Sequence, residues 1–155
     1  QQMSKNHPLG PRPVFTAHPE AKIILIGQAP GTAVHKSGIP WDDPSGNRLR
    51  EWLGVDKSTF YNPRNFALVP MGFCYPGKGK SGDLPHREEC APQWHNLLFE
   101  QMPQAKLKIL IGSYAQKYYL QERNAETLTQ TVKNFANYLP DFLVLPHPSP
   151  EIIFR

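Results

Sequence analysis

The sequence of 155 residues has only two cysteines and no long hydrophobic run. Two cysteines are too few for the disulfide framework that stabilises many small secreted proteins. No apolar run approaches the roughly 20 residues that a bilayer-spanning helix needs, and no secretory signal segment is present. From these absences we expect a soluble protein, without membrane association, in the reducing cytoplasm.

The net charge and the chain length exclude few classes of protein. The 17 Lys and Arg residues against 13 Asp and Glu give a net charge of +4, a modest excess that suits an anionic partner but is also typical of a solvated surface. The length is that of about one ordinary domain with its own core. We therefore predict a single domain over residues 1–155, and a monomer.

Proline is abundant, and 13 of the 17 prolines lie in four clusters at residues 8–13, 40–44, 63–85 and 140–150. Proline fixes φ and removes a hydrogen-bond donor, so these clusters predict ordered loops between regular elements. Loops held by a rigid scaffold often carry function.

Four short apolar runs, at residues 22–27, 66–71, 107–112 and 142–145, have the length of strands. Their nearly continuous hydrophobicity is typical of a parallel sheet covered on both faces. Helical spacing indicates helices at residues 45–53, 87–101, 113–121 and 125–138. The alternation predicts a three-layer α/β/α sandwich around a central four-stranded, mainly parallel sheet.

The helix predictions include caps and buried faces. Ser45 and Ser113 are the expected N-caps of the first and third helices. The apolar face of the second helix is predicted from Trp94, Leu97 and Leu98. That of the fourth is predicted from a helical series, Leu128, Val132, Phe135 and Leu139.

A glycine-rich segment matches two phosphate-binding patterns imperfectly. Residues 72–79 approach a P-loop, but Gly79 stands where the Ser or Thr for magnesium is needed, and no helix is predicted next. Gly77, Gly79 and Gly82 fit a dinucleotide pattern that also lacks its helix. Residues 77–82 are interpreted as a surface loop, whose Lys78 and Lys80 either contact a phosphate backbone or are simply solvated.

Two predicted strand ends carry distinctive turns. The first strand runs into Gly27-Gln28-Ala29-Pro30-Gly31, and the last runs into Pro146-His147-Pro148-Ser149-Pro150. Because the carboxyl ends of parallel strands face one crevice, these turns are predicted to form two halves of one active site.

These turns, together with Gly38-Ile39-Pro40-Trp41 about ten residues after the first, resemble the motifs of the uracil-DNA glycosylase superfamily. The closest pattern is the bacterial and archaeal family 4, whose first motif reads Gly-Glu-Ala-Pro-Gly and whose second begins His-Pro-Ser. Gln28 is the one difference in the first motif. Cys74 and Cys90 also match the spacing of two iron–sulfur ligands of that family.

The resemblance implies an enzyme of base excision repair, which flips uracil or a related damaged base out of single- or double-stranded DNA and hydrolyses its N-glycosidic bond. Trp41 would stack on the base, and His147 would stabilise the departing base anion. Gln28 is the second predicted catalytic residue. The other predicted base contacts are Gly27, Ala29, Pro30, Gly31 and Met71. The predicted DNA contacts are Pro148, Ser149, Lys78 and Lys80.

Three departures from the family pattern affect this prediction. Well-known members carry a water-activating Asp where this chain has Ala29, and family 4 carries Glu in place of Gln28. A carboxamide cannot accept a proton from water as a carboxylate can, so DNA phosphates, Asp42 or Asp43 would have to assist. The two aspartates are more readily explained as turn and N-cap residues before Ser45. Relatives also place an Asn near Met71 to read the base edge.

These departures keep a second function open, a nucleic-acid-binding member of the same fold without catalysis. No cofactor is expected for the chemistry. Cys74 and Cys90 supply two of the four ligands of an iron–sulfur cluster, and His7 is the sole further ligand type near the start of the chain. A cluster is therefore predicted only if more ligands lie outside this sequence.

Overall fold

The computed structural model describes residues 13–73, 76–79, 82–83, 90–123 and 127–149. Its strands are β1 (Ile23–Ile26), β2 (Phe66–Leu68), β3 (Lys78–Gly79), β4 (Gly82–Asp83), β5 (Leu107–Ile111) and β6 (Phe142–Leu145). Four of these form the central sheet in the order β2-β1-β5-β6, and every neighbouring pair is parallel. The predicted four-stranded sheet is confirmed, and it is parallel throughout.

Side chains of the central strands alternate between two hydrophobic clusters, one on each face of the sheet. Ile24 and Ile26 of β1 belong to one cluster and Leu25 to the other. The helices are α1 (Thr32–Ser37), α2 (Pro44–Leu53), α3 (Lys57–Phe60), α4 (Cys90–Glu100), α5 (Ser113–Leu120) and α6 (Leu128–Lys133). Residues of α4 and α5 pack in the first cluster, and residues of α2 and α3 in the second. The three-layer α/β/α sandwich is confirmed.

Two helix caps differ from the prediction. Asp43, not Ser45, is the N-cap of α2, and its side chain accepts a hydrogen bond from the Gly46 amide at 2.8 Å. Pro44 occupies the first helical position, where its missing N–H costs nothing. Gly112, not Ser113, precedes α5 with a φ of +84°, a conformation that strongly favours glycine.

The buried faces of two helices also differ from the prediction. In α4, Trp94 and Leu97 are 39% and 55% exposed, whereas His95 is 1% exposed and lies against the core. The prediction followed bulk and hydrophobicity, but the hydrogen bonds of His95 allow this polar ring to be buried. In the last helical region, Phe135 and Leu139 are exposed because α6 ends at Lys133 and a 3₁₀ turn at Phe135–Asn137 changes the phase.

The predicted loop at residues 77–82 contains more regular structure than expected. Lys78–Gly79 and Gly82–Asp83 pair as an antiparallel two-stranded ribbon. Two short helices, α1 and α3, were also not predicted, because each has a single buried side chain and hence no periodic apolar pattern. Within the described ranges, no helix combines the length and hydrophobicity needed to cross a membrane.

Candidate active site

A cleft opens at the carboxyl ends of β1 and β6. The turn after β1 forms one side, with Gly27, Gln28, Ala29, Pro30 and Gly31 all lining the cleft. His147, directly after β6, lines it as well. The structure therefore brings together the two distant turns that the sequence suggested as halves of one site.

Trp41 forms an aromatic wall of this cleft. Its indole lies so close to the end of β1 that a Cβ on Gly27 would be 2.8 Å from the indole Cζ2 atom. Real Cβ atoms do not approach a neighbour so closely, so glycine at position 27 allows this seating of the ring. Gly27 therefore leaves the space that the Trp41 indole occupies.

The His147 imidazole lies beside the same indole, with ring centroids 6.0 Å apart and planes inclined by 34°. Its backbone is held on a stiff turn between Pro146 and Pro148. The turn is anchored at both ends, since the Leu145 carbonyl accepts a bond from the Gly112 amide at 2.9 Å and the Ser149 carbonyl accepts one from Arg48 Nη1 at 3.0 Å. The imidazole position is thus set by β6 and α2 together.

Burial lowers the pKa of His147 below the ordinary value of 6.5, and the negative charge of Asp43 opposes this shift. Desolvation is the larger of the two effects. The imidazole is therefore neutral at pH 7. A neutral ring offers one N–H donor and one acceptor.

The lowered pKa makes folding stability depend on pH. Between pH 6.5 and the lower folded-state pKa, the unfolded chain binds the proton that the folded protein refuses. We expect the free energy of unfolding to fall as pH decreases through this window and to be unaffected by this group above it. Urea unfolding from pH 8 to pH 5 should show a shallower decline for His147→Asn than for the parent protein. Identical pH slopes would contradict the assignment.

The structure separates the two aspartates that the sequence left as alternatives. Asp43 is half-buried and lines the cleft, whereas Asp42 is exposed and lies outside it. One carboxylate oxygen of Asp43, Oδ1, accepts the capping bond from Gly46. A carboxylate has two oxygens with about four acceptor sites, so Asp43 can cap α2 and still accept a proton in the cleft.

Several predicted contacts are not brought to the cleft. Met71 is 2% exposed and packs in the core, and Pro70 lines the cleft instead. Pro148 and Ser149 follow His147 without lining the cleft themselves. Lys80, Cys74 and the side chain of Lys78 lie outside the described residues.

Sequence reasoning missed the apolar wall of the cleft. It is built from Val14, Val34, Pro40, Leu68 and Pro70. Val14 reaches it because its amide bonds to the Phe73 carbonyl at 2.7 Å, a contact between distant segments that no local pattern shows. Val34 carried a weak signal, as the one large apolar residue of α1.

Pro70 is held from behind by the buried His95, which sequence reasoning also missed. The Pro70 carbonyl lies 2.7 Å from His95 Nε2 and can only accept, so Nε2 carries the proton. The other ring nitrogen, Nδ1, then accepts a bond from the Tyr119 hydroxyl. Burial raises the pKa of Tyr119, so its hydroxyl remains a donor.

Of the two cysteines, the structure describes Cys90. Cys90 is 1% exposed and packs in the apolar cluster at the start of α4. Across the part of the chain that the structure describes, no group of three or more His, Cys, Asp or Glu side chains is placed to hold a metal ion. The described residues do not supply the ligand set of an iron–sulfur cluster, which stays a prediction, and no step below depends on one.

The cleft at the strand ends of this α/β/α sandwich brings together an indole, an imidazole and a carboxylate. Such groups can bind a planar ring and transfer protons beside it. The model of the Uracil DNA glycosylase superfamily matches residues 14–152. The match includes both turns of the cleft and all four strands of the central sheet. The chain belongs to this superfamily. Membership indicates a glycosylase, a hydrolase of the base excision repair class.

Proposed function

We propose that this protein is a DNA glycosylase of the family 4 type that hydrolyses the N-glycosidic bond of uracil or a related damaged base. The observation that carries the proposal is the convergence of Trp41, His147 and Asp43 on one cleft in a chain of this superfamily. These side chains supply a stacking surface, a hydrogen-bond donor and a proton acceptor. The proposed partner is single- or double-stranded DNA that contains uracil or another damaged base. The enzyme is proposed to be monomeric and cytoplasmic.

Base flipping accounts for the shape of the cleft. An enzyme that acts on a base must take it out of the helix and hold it between apolar surfaces. Trp41 provides one such surface, and Leu68 and Val34 contribute to the apolar wall. The base edge would be read by Gln28, whose carboxamide has both donors and an acceptor, and by the peptide groups of its turn.

His147 is proposed to stabilise the departing base. As the C1′–N bond breaks, its electron pair leaves with the base while positive charge grows on the sugar. A neutral imidazole N–H aimed at a base oxygen strengthens its hydrogen bond as that oxygen becomes negative. The stiff turn between two prolines holds this donor in place before the reaction.

Asp43 is proposed to activate the water. Its carboxylate accepts a proton from a water molecule as the water oxygen forms a bond to C1′. The C1′–N bond breaks, and the base takes up one proton, from Asp43 or solvent, to leave as the neutral free base. The products are a free base and a sugar that carries a hydroxyl at C1′. Asp43 thereby supplies the carboxylate that Gln28 and Ala29 lack.

DNA is proposed to bind across the mouth of the cleft. The Pro148–Ser149 turn lies directly beside His147, and the adjacent Arg48 brings a positive charge to it. Phosphate contacts of this kind set the register of the nucleic acid without reading its sequence. Lys78 and Lys80 remain proposed as additional phosphate contacts.

The experiment that separates an enzyme from a binding protein measures both properties on the same oligonucleotides. Single- and double-stranded DNA containing uracil, hypoxanthine or xanthine is incubated with excess protein, and bound DNA and free base are quantified in parallel. Release of a base from at least one substrate supports the proposal. Binding to these substrates without release of any base would favour the second function, a non-catalytic nucleic-acid-binding member of the fold.

A further inference from the structure

Arg50 is buried in the wall behind the cleft, with only 5% of its surface exposed. Its guanidinium donates to the Trp41 carbonyl at 3.2 Å, to the Tyr61 hydroxyl at 3.2 Å and to Asn47 Oδ1 at 2.8 Å. It also lies over the rings of Phe60 and Tyr61, 5.1 and 5.4 Å from their centroids. These three acceptors are uncharged oxygens. The buried cation is therefore held by a fork of hydrogen bonds to neutral groups.

Two hydrogen bonds hold the consecutive backbone carbonyls of Pro40 and Trp41. Arg50 binds the carbonyl of Trp41, and the Tyr61 hydroxyl donates to the carbonyl of Pro40 at 2.8 Å. These carbonyls lie on either side of the Trp41 Cα atom. Burial raises the pKa of Tyr61, so its hydroxyl remains protonated and able to donate. Together, Arg50 and Tyr61 fix the peptide planes that orient the indole.

The Trp41 backbone needs such support. Its φ is +60°, in the left-handed region that is unfavourable for a bulky L-residue. One turn before Arg50 on the same helix, a Cβ on Gly46 would lie 1.7 Å from the Trp41 carbonyl oxygen. The α2 backbone therefore passes close beneath the loop, and Arg50 reaches the same carbonyl from the next turn.

Packing alone does not account for a charged residue at this place. Burying a cation is costly, and an apolar side chain of similar volume fills a core at least as well. The guanidinium of Arg carries five N–H donors in a fixed planar fork and can bind several fixed acceptors at once, whereas an apolar residue has no donor and the ammonium of Lys lacks this planar geometry. The particular contribution of Arg50 is its set of directed hydrogen bonds, one of which ends on the Trp41 peptide.

We propose that Arg50 is a positioning residue that holds the Trp41 indole in its base-stacking orientation from behind the cleft. This inference rests on the proposed glycosylase function for its catalytic consequence. Its structural part, the ordering of Trp41 by Arg50 and Tyr61, concerns the DNA-free protein and is tested separately from the proposed function.

The first test observes Trp41 directly without DNA. The chain has three tryptophans, so Trp52→Phe and Trp94→Phe leave Trp41 as the sole reporter. In this background, Arg50→Met should lower the fluorescence anisotropy of Trp41 and raise its quenching by acrylamide. Tyr61→Phe, which removes the bond to Pro40 but keeps Arg50, should produce a smaller change of the same kind. Arg64→Met, at an exposed ion pair with Glu20, is the matched control and should change neither quantity.

The second test asks whether Arg50 acts through Trp41. Arg50→Met should reduce kcat/KM for base release by about 100-fold, as expected for a misplaced binding group. Added to Trp41→Ala, it should cause little further loss, because the group that it positions is already absent.

Unchanged Trp41 anisotropy and quenching in both Arg50→Met and Tyr61→Phe would overturn the inference, as would losses of kcat/KM that multiply fully in the Arg50 and Trp41 double variant. If Arg50→Met does not fold, the same measurements of Trp41 fluorescence and of kcat/KM are made on Tyr61→Phe, and their result decides whether the inference holds. A parent protein that releases no base contradicts the proposed function but leaves the fluorescence result to decide the positioning role.

Discussion

Replacement of His147 with alanine is expected to reduce the rate of base release by about 1000-fold, the upper range for removing one preorganised donor to a developing oxyanion. The imidazole is neutral and half-buried, and its centroid lies 6.0 Å from that of the Trp41 ring, so in the proposed mechanism it would donate beside the base that the indole holds. A hydrogen bond to a charge that grows during bond cleavage lowers the barrier more than it strengthens substrate binding. The loss should therefore appear mainly in kcat.

Single-turnover kinetics with excess protein measure this effect without interference from product release. His18→Ala is a suitable control, because His18 does not line the cleft and its Nδ1 accepts a bond from the Glu20 amide. We expect His18→Ala to retain the parent rate. A His147→Ala protein that folds normally and retains a rate within threefold of the parent would exclude His147 as the donor to the leaving base.

Asp43→Asn is expected to reduce base release by about 100-fold or more, the range for loss of a general base. The substitution is chosen because Asn is as good an N-cap as Asp, so the bond to the Gly46 amide and the stability of α2 are retained. The negative charge is lost, and with it the ability to accept a proton. A lower rate at an unchanged melting temperature would separate the catalytic role from the capping role.

Asp42→Asn makes the same chemical change one residue away, at an exposed position outside the cleft, and should leave the rate unchanged. A further readout does not require activity. The negative charge of Asp43 raises the pKa of His147, so Asp43→Asn should lower that pKa further when it is measured by NMR. Equal rates for both Asn variants would show that the water activator is another group.

The strands and the two turns of the cleft could be predicted from the sequence because their signals are local. Each strand of the central sheet is covered on both faces, which requires a continuous apolar run such as Ile23–Ile26. The His147 turn could be recognised because two prolines flank a histidine at a strand end. Gly27 was predicted as a base contact, and its close approach to the Trp41 indole is seen only in the structure.

The parts that escaped prediction depend on contacts between distant segments. Nothing near Val14 in sequence shows that this residue joins the cleft wall. The burial of His95 depends on partners 24 and 25 residues away, Tyr119 and the Pro70 carbonyl. Which of the two aspartates, Asp42 or Asp43, lines the cleft depends on the direction in which α2 begins, and the sequence does not show that direction. Local propensity indicates which elements form, but tertiary contacts determine which polar side chains they bury.

The central claim is that the cleft of Trp41, Asp43 and His147 hydrolyses the bond between a base and its sugar in DNA. Mass-spectrometric detection of free uracil, after excess protein is mixed with uracil-containing single- and double-stranded oligonucleotides, tests it most directly. The account predicts one free uracil for each abasic site formed by the parent protein, and a greatly slowed reaction with His147→Ala. Folded parent protein that binds DNA containing uracil, hypoxanthine or xanthine and releases none of these bases would contradict it.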